Sequence, residues 1–270
     1  MAKSSAVFGE QRLLRNNSAE RLLFRFMGVP DAAHWLHSLY FRRALRRVGS
    51  PMSVLDAGCG MGDYSFFIAR RTPAASVVSL DIDAARIEKA RATATQLGLD
   101  RIEFRSADLT QLDAVSRFDF AFAIDVLEHI PGQHAALRRI FASLRPGGFA
   151  YFHLPTMRPR PVPFSPHLTG FQEWAKHEHV ADERTCDEFV NLVADAGFEV
   201  LRAQPTFGYY TGELATSLFA LPFENSARNR VLLALIAPIC RVLCWLDTLN
   251  LERTRYAVAV LARKRADRDR

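Results

Sequence analysis

The sequence predicts an α/β fold in which helices cover both faces of a parallel sheet. Short apolar segments alternate with amphipathic ones from Val54 onward, and three glycines at alternate positions follow the first apolar segment. Strict alternation of strands and helices implies a parallel sheet with right-handed crossovers. The chain has 270 residues, of which 49% are hydrophobic, so it can bury one large core.

The first part of the chain, residues 1–50, is predicted to be a basic helical extension of a domain that covers 51–270. Residues 1–30 mix arginine with leucine and phenylalanine, as in an amphipathic helix, and Asp31 suits the N-cap of a second helix that ends at Val48. The N-terminus has no long apolar run of a signal peptide. No stretch reaches the ~18 apolar residues of a membrane span.

Strands and helices then alternate along the chain. The predicted strands are Val54–Asp56, Val77–Asp81, Ile102–Arg105, Phe118–Ile124, Phe149–Leu154, Phe198–Ala203 and Tyr256–Ala262. The predicted helices are Tyr64–Arg71, Ala84–Leu97, Gln133–Leu144 and one that begins at the Thr185–Glu188 capping box and stops at Gly197. Between the last two strands, residues 205–255 form an apolar, helical insertion that suits a lid or substrate chamber, a dimer interface or additional core.

The turn after the first predicted strand carries Gly58, Gly60 and Gly62. Glycine tolerates positive φ and lets a ligand approach the backbone, and the helix that follows offers unpaired N–H groups. Asp63 stands at the start of that helix, where it would repel a pyrophosphate and attract an amine-bearing ligand. The turn therefore differs from a dinucleotide-binding motif.

Acidic residues follow the carboxyl ends of successive predicted strands, at Asp56, Asp81, Asp108 and Asp125. Ligands of parallel sheets bind at this edge. A carboxylate at Asp81 can accept both hydroxyls of a ribose, and one at Asp108 can accept the exocyclic amine of adenine. Together these residues predict a nucleoside-binding site.

The segment Asp56–Gly62 resembles motif I of the class I S-adenosylmethionine-dependent methyltransferases. Residues 52–155 are similar to the core of the small-molecule group that includes quinone-biosynthesis, lipid and polyketide methyltransferases, of which Asp125–Ile130 is also typical. The resemblance implies a Rossmann-like, seven-stranded methyltransferase sheet, S-adenosyl-L-methionine as cofactor and methyltransferase activity.

The resemblance also implies a role for each residue of the cofactor site. The glycines would line the methionine moiety, and Asp56 or Asp63 would meet its amino acid end. Asp81 would bind the ribose. The predicted site contains Asp56, Gly58, Gly60, Gly62, Asp81, Ile82, Asp108, Leu109 and Asp125. The Asn/Asp-Pro-Pro-aromatic motif of enzymes that methylate base amines is missing after the fourth strand, which disfavours that reaction.

Methyl transfer from a sulfonium needs mainly positioning, and a base helps when the acceptor is a hydroxyl. The candidate bases are His129, His153 and His179, the last of which lies beside His177. Packing or substrate positioning is the alternative role of each. No metal is expected, because the histidines are scattered along the sequence.

The basic charge lies at the ends of the chain, since residues 1–50 carry 9 Lys and Arg against 3 Asp and Glu. Together with the apolar insertion, this predicts a hydrophobic small-molecule or lipid-like acceptor that is methylated on oxygen or carbon. An anionic membrane surface and a homodimer are further expected contacts, at a cytoplasmic location or on the inner membrane face. An RNA or protein methyltransferase is the alternative, although the sequence shows no nucleic-acid-binding module. A non-catalytic scaffold is a third reading.

Overall fold

The structure is a computed structural model, which describes residues 32–73, 75–156, 184–208, 211, 227–249 and 256–266. The helix predicted within residues 1–30, the candidate base His179 with its neighbour His177, and part of the insertion 205–255 lie outside the described residues.

The helices follow the predicted positions closely. The Thr185 and Glu188 side chains form the capping box that the sequence predicts. Cys240 and Cys244 are buried free thiols on a helix, also as predicted. The α-helices are α1 (Ala32–Val48), α2 (Asp63–Arg71), α3 (Ala84–Leu97), α4 (Gln133–Ser143), α5 (Cys186–Asp195) and α6 (Ala227–Asp247).

A seven-stranded sheet forms the centre of the fold, in the order β3-β2-β1-β4-β5-β7-β6. Its strands are β1 (Ser53–Ala57), β2 (Ser76–Asp81), β3 (Ile102–Ser106), β4 (Phe118–Ile124), β5 (Leu144–Pro155), β6 (Glu199–Thr206) and β7 (Ala257–Arg263). The strand β5 begins at Leu144, earlier than the predicted Phe149. Leu144 pairs with Phe118 of β4 and Phe149 pairs with Phe120, so the register shifts between these two pairs and the Pro-Gly-Gly segment is included in β5.

The last strand departs from the parallel sheet that the alternation predicts. The strand β7 inserts between β5 and β6 and runs antiparallel to both. A connection that leaves β6 at the carboxyl edge and re-enters the sheet at the same edge must reverse the strand direction. The sheet is therefore mixed, whereas β1 to β5 are parallel to one another.

Each face of the sheet packs against its own set of helices, as predicted. On one face, Phe41 of α1 is fully buried. Its ring centre lies 4.9 Å from that of Phe122, 5.2 Å from that of Tyr64 and 5.5 Å from that of Tyr151. The opposite face is covered by α4 and α5, with Phe189 completely buried. The helix α1 is thus part of the core.

The helix α6, from the insertion, packs beside α1. The Arg241 guanidinium lies 4.7 Å from the ring centre of Trp35, and Arg43 donates to the carbonyl and the hydroxyl of Thr248. The two helices therefore run in the same direction across the sheet. Within the residues that the structure describes, no helix has the length and apolar character needed to cross a membrane.

Replacing Phe41 with alanine should lower the free energy of unfolding by about 3–5 kcal/mol, because it leaves a cavity among packed aromatic rings. Urea unfolding followed by circular dichroism measures the change. Val115→Ala is the control, since Val115 is 73% exposed and should change the stability by less than about 0.5 kcal/mol. Equal effects of the two substitutions would contradict the central position of α1.

Candidate functional site

The glycine turn between β1 and α2 has the geometry that the sequence predicts. Gly58, Gly60 and Gly62 have φ values of 94°, 53° and 87°, a region that side chains with a Cβ rarely enter. A Cβ on Gly58 would lie 2.3 Å from Cγ2 of Val126, just after β4. The turn is therefore pressed against the end of β4, and only glycine fits at position 58.

Asp81, at the end of β2, anchors this turn. One carboxylate oxygen accepts from the backbone N–H of Gly60 at 2.8 Å, and the other accepts from that of Asp83 at 2.9 Å. The peptide groups of Gly58 and Cys59 donate to the carbonyl of Leu80. The carboxylate thus lies at the carboxyl edge of the sheet, beside the glycine turn, where the sequence predicts a ribose.

Asp56 faces the interior of the domain. Its carboxylate accepts a hydrogen bond from the Ser65 hydroxyl at 2.5 Å, and Ser65 in turn lies 2.6 Å from the Ser79 hydroxyl. Burial, with a smaller contribution from Asp81 and Asp63, raises the pKa of Asp56 to about 7. The side chain joins β1 to α2 and β2, and the contact with the amino acid end of the cofactor, predicted for Asp56 or Asp63, stays a prediction.

Asp63, at the start of α2, is better placed to meet a ligand than Asp56. Its Oδ2 lies 3.2 Å from Nε2 of His34, a residue of α1. Its Oδ1 is buried and has no hydrogen-bond partner. An unpartnered carboxylate oxygen beside a glycine turn suits a cationic group such as an amine.

Asp108 and Leu109 follow β3 at the same edge of the sheet. Oδ1 of Asp108 accepts from the backbone and the hydroxyl of Thr110, which caps a short 3₁₀ helix. Leu109 is buried beneath it, whereas Ile82 after β2 is 76% exposed. The structure therefore brings Asp81, Ile82, Asp108 and Leu109 to neighbouring strand ends.

Asp125 ends β4 in a left-handed conformation, with φ 52°. Its Oδ1 lies 2.6 Å from Nδ1 of His153 on β5, and its Oδ2 lies 3.3 Å from Nε2 of His37 on α1. His153 Nε2 lies 2.9 Å from the Thr206 hydroxyl at the end of β6. The side chains of His37, Asp125 and His153, called the His–Asp–His cluster below, thus come from three elements.

The charges in the His–Asp–His cluster follow from its burial. Burial lowers the pKa of His37 to about 3, against an opposing effect of Asp125, so His37 is neutral at pH 7. Burial would raise the pKa of Asp125, but His37 and His153 together lower it to about 2. The carboxylate therefore stays ionised, and His153 is positioned to donate to it through Nδ1–H.

The predicted bases have different surroundings. Both ring nitrogens of His153 are engaged by Asp125 and Thr206, and its side chain is 1% exposed. His129 is half-exposed and lies 3.9 Å from Glu128. The buried Glu128, which the sequence analysis did not single out, has a pKa well above its usual value because of burial and the nearby Asp125.

His37 is the functional candidate that sequence reasoning missed. It lies on the second predicted helix, and nothing in its local sequence separates it from a packing residue. Its Nε2 has no hydrogen-bond partner, since the approach to Asp125 is poorly directed. The ligand atoms of the His–Asp–His cluster lie within 4.8 Å of one another, close enough to hold a metal ion, and the expectation of a site without metal stays a prediction.

Parallel strands with a glycine turn and carboxylates at their carboxyl ends are typical of an α/β domain that binds a nucleoside cofactor. A model of the methyltransferase domain family matches residues 49–197, which is more than half of the chain. The chain belongs to that family, the class I S-adenosylmethionine-dependent methyltransferases. The Asp63 oxygen without a partner and the Asp81 carboxylate fit the amine and the ribose of that cofactor.

Known proteins agree with this assignment. A trans-aconitate 2-methyltransferase of Methylobacterium radiotolerans is 35% identical over 106 residues, 39% of either chain. A ubiquinone biosynthesis O-methyltransferase of Stutzerimonas stutzeri is 30% identical over 114 residues, 42% of this chain and 48% of that protein. The chain thus spans less than half the length of these two relatives.

The fold also matches solved structures. A geranyl diphosphate C-methyltransferase of Streptomyces coelicolor, in complex with Mg²⁺, geranyl diphosphate and S-adenosyl-L-homocysteine, superposes with a TM-score of 0.58. The match covers 86% of this chain and 78% of that chain at 14% sequence identity, so it concerns the fold alone.

Gly58→Ala should weaken the binding of S-adenosylmethionine by at least about tenfold, because the new Cβ displaces Val126 and strains the turn. Isothermal titration calorimetry measures the affinity. Gly132→Ala is the matched control, since the nearest atom to its Cβ lies at 3.4 Å and Gly132 has no positive φ. An unchanged affinity in Gly58→Ala would show that the cofactor does not depend on this turn.

The buried His37 and Asp56 should give the stability opposite dependences on pH between pH 4 and 6.5. His37 has a pKa of about 3 when folded and 6.5 ordinarily, so the unfolded chain binds the extra proton and stability rises with pH. Asp56 has a pKa of about 7 when folded and 3.8 ordinarily, so the folded chain binds the proton and stability falls as pH rises.

Each substitution should therefore change the slope in its own direction. Relative to the wild type, His37→Gln should lower it and Asp56→Asn should raise it, each by up to about 1.4 kcal/mol per pH unit. Urea unfolding at several pH values measures these slopes, with the exposed His134→Gln as control. Slopes parallel to that of the wild type in both variants would contradict the buried states described above.

Proposed function

We propose that the protein transfers the methyl group of S-adenosylmethionine to an oxygen or carbon of a hydrophobic small-molecule or lipid-like acceptor. The observation that carries the proposal is the position of the His–Asp–His cluster directly beside the cofactor turn. The Val126 side chain lies directly against Gly58, and Asp125 is the residue before Val126. An acceptor that reaches Asp125 therefore lies next to the methionine end of the cofactor.

When bound, S-adenosylmethionine supplies a methyl group activated by its sulfonium. For an oxygen acceptor, the C–S bond breaks, a C–O bond forms, and the acceptor loses a proton. The ionised Asp125 accepts a hydrogen bond from the acceptor hydroxyl and orients its lone pair toward the methyl group. As the C–O bond forms, the hydroxyl proton moves along this hydrogen bond to Asp125, and neutral His37, whose Nε2 lies 3.3 Å from Oδ2 of Asp125, can take it from there.

His153 serves this reaction as a positioning residue. Its Nδ1–H holds Asp125, and its Nε2 accepts from the Thr206 hydroxyl, so the imidazole has no lone pair left for the acceptor. The role of general base that the sequence predicts for His153 passes in this proposal to His37. His129 and His179 stay predictions.

The apolar character of the acceptor is supported by the insertion. Phe207, which directly follows β6, packs its ring 4.9 Å from that of His37 and 5.6 Å from that of His153. The insertion thus places an apolar ring beside the His–Asp–His cluster at its start. The outer face of α6 adds exposed apolar side chains, which are Ile239, Val242, Trp245 and, just beyond its end, Leu249.

Contact with an anionic membrane, a homodimer and a cytoplasmic location stay predictions. An RNA or protein acceptor is a distinct outcome of the experiment that follows.

Purified protein with labelled S-adenosylmethionine should transfer label to a solvent-extractable component of host lipids. Asp81→Asn should abolish transfer and weaken cofactor binding by at least about tenfold, because the ribose loses an ionised acceptor. Asp83→Asn is the matched control, since asparagine also caps α3. Label found only in RNA, protein or polar metabolites would overturn the hydrophobic acceptor while leaving the cofactor site in place.

A further inference from the structure

A basic cleft lies on the α1 face of the sheet, apart from the glycine turn. It lies between α1 and the strands β5, β7 and β6. Tyr151 forms part of its lining and precedes His153 by two residues on β5. The cleft therefore begins about 7 Å along the strand from the His–Asp–His cluster.

Three arginines line this cleft, and no acidic side chain does. Arg43 is held by the carbonyl and hydroxyl of Thr248. Among the described residues, Arg47 and Arg202 form neither a hydrogen bond nor an ion pair, and both are exposed. Like charges repel one another, so a site that gathers guanidinium groups without a carboxylate is suited to an anion from outside the chain.

Two of the neutral side chains that line the cleft, Tyr151 and Gln204, can form hydrogen bonds to a ligand. The Tyr151 hydroxyl is buried and has no hydrogen-bond partner. Burial raises the pKa of Tyr151 well above its usual value, so the hydroxyl keeps its proton and can donate a hydrogen bond to an anion. Gln204 is 8% exposed, and its amide forms no hydrogen bond within the part of the chain described. A buried hydroxyl without a partner costs free energy, which an oxygen of a ligand would recover.

We propose that this cleft binds a phosphate group, with Arg43, Arg47 and Arg202 supplying the charge and Tyr151 a hydroxyl donor. A phosphate monoester carries up to two negative charges and three terminal oxygens, which matches several guanidinium donors arranged around it. One guanidinium suffices for a carboxylate, so three favour the phosphate. The group can belong to a soluble phosphate ester or to a phospholipid headgroup.

Methyl transfer does not require this cleft, so the phosphate site does not depend on the proposed function. The cleft shares no residue with the cofactor turn or with the His–Asp–His cluster. A variant of the cleft should therefore keep its affinity for S-adenosylmethionine, which separates failure of this proposal from failure of the other.

The test uses the full chain with two phosphate probes. Calorimetry with glycerol 3-phosphate detects a soluble ester, and flotation with phosphatidylcholine vesicles, with or without phosphatidate, detects a headgroup. The double variant Arg47→Gln/Arg202→Gln should weaken the binding of either probe by about tenfold or more, and Tyr151→Phe should weaken it severalfold. Arg46→Gln, an exposed residue of the same helix outside the cleft, should bind like the wild type.

Each result has a defined meaning. Binding of glycerol 3-phosphate without flotation assigns the cleft to a soluble ester, and flotation that depends on phosphatidate assigns it to a lipid. The proposal is overturned if neither probe binds to the wild type. It is also overturned if Arg46→Gln loses as much binding as the double variant, because the binding then responds to diffuse charge and not to the cleft. Equal binding of succinate overturns the choice of phosphate, and tighter, salt-sensitive binding of a short RNA overturns the small-ligand assignment.

Discussion

The contact between the glycine turn and the end of β4 is the constraint on which the whole site depends. Because Gly58 lies against Val126, the backbone of the turn reaches both β2 and β4 at once. Asp125, the residue before Val126, has a left-handed conformation and lies next to the turn. The cofactor side and the acceptor side of the site are therefore joined by one close approach, and neither can shift without the other.

Two aspartates, Asp56 and Asp125, show how the surroundings divide this site electrostatically. Burial and acidic neighbours raise the pKa of Asp56 against the opposing hydrogen bond from Ser65, whereas Asp125 lies between two imidazoles and its pKa falls. A cofactor with a sulfonium and an ammonium group is cationic, and it suits the half that contains Asp63 and Asp81. The half that contains the His–Asp–His cluster instead holds one carboxylate, oriented by His37 and His153, which can accept a hydrogen bond from the acceptor hydroxyl that we propose.

The sequence predicted the strand ends well, because parallel strands necessarily bring their carboxyl ends to one edge. It could not predict that Asp56 faces inward. Every residue from Val54 to Ala57 is buried, and in a strand covered on both faces apolar and polar residues do not alternate in a way that shows where each side chain points. Nor could it find His37, whose partners Asp125 and His153 lie far along the chain. The direction of β7 depended on where the preceding connection re-enters the sheet, which composition does not specify.

The helix α1 connects these regions, although the sequence treated it as part of an extension. His34, His37, Phe41 and Ala44 follow helical spacing, so one stripe faces Asp63, then the His–Asp–His cluster, then the core and finally the basic cleft. Loss of this helix would remove core packing and the imidazole nearest the acceptor together. The stability of the domain and the proposed chemistry beside the His–Asp–His cluster therefore constrain the same residues, and change on this helix is tolerated best at Arg46, which is exposed and lies outside both the stripe and the basic cleft.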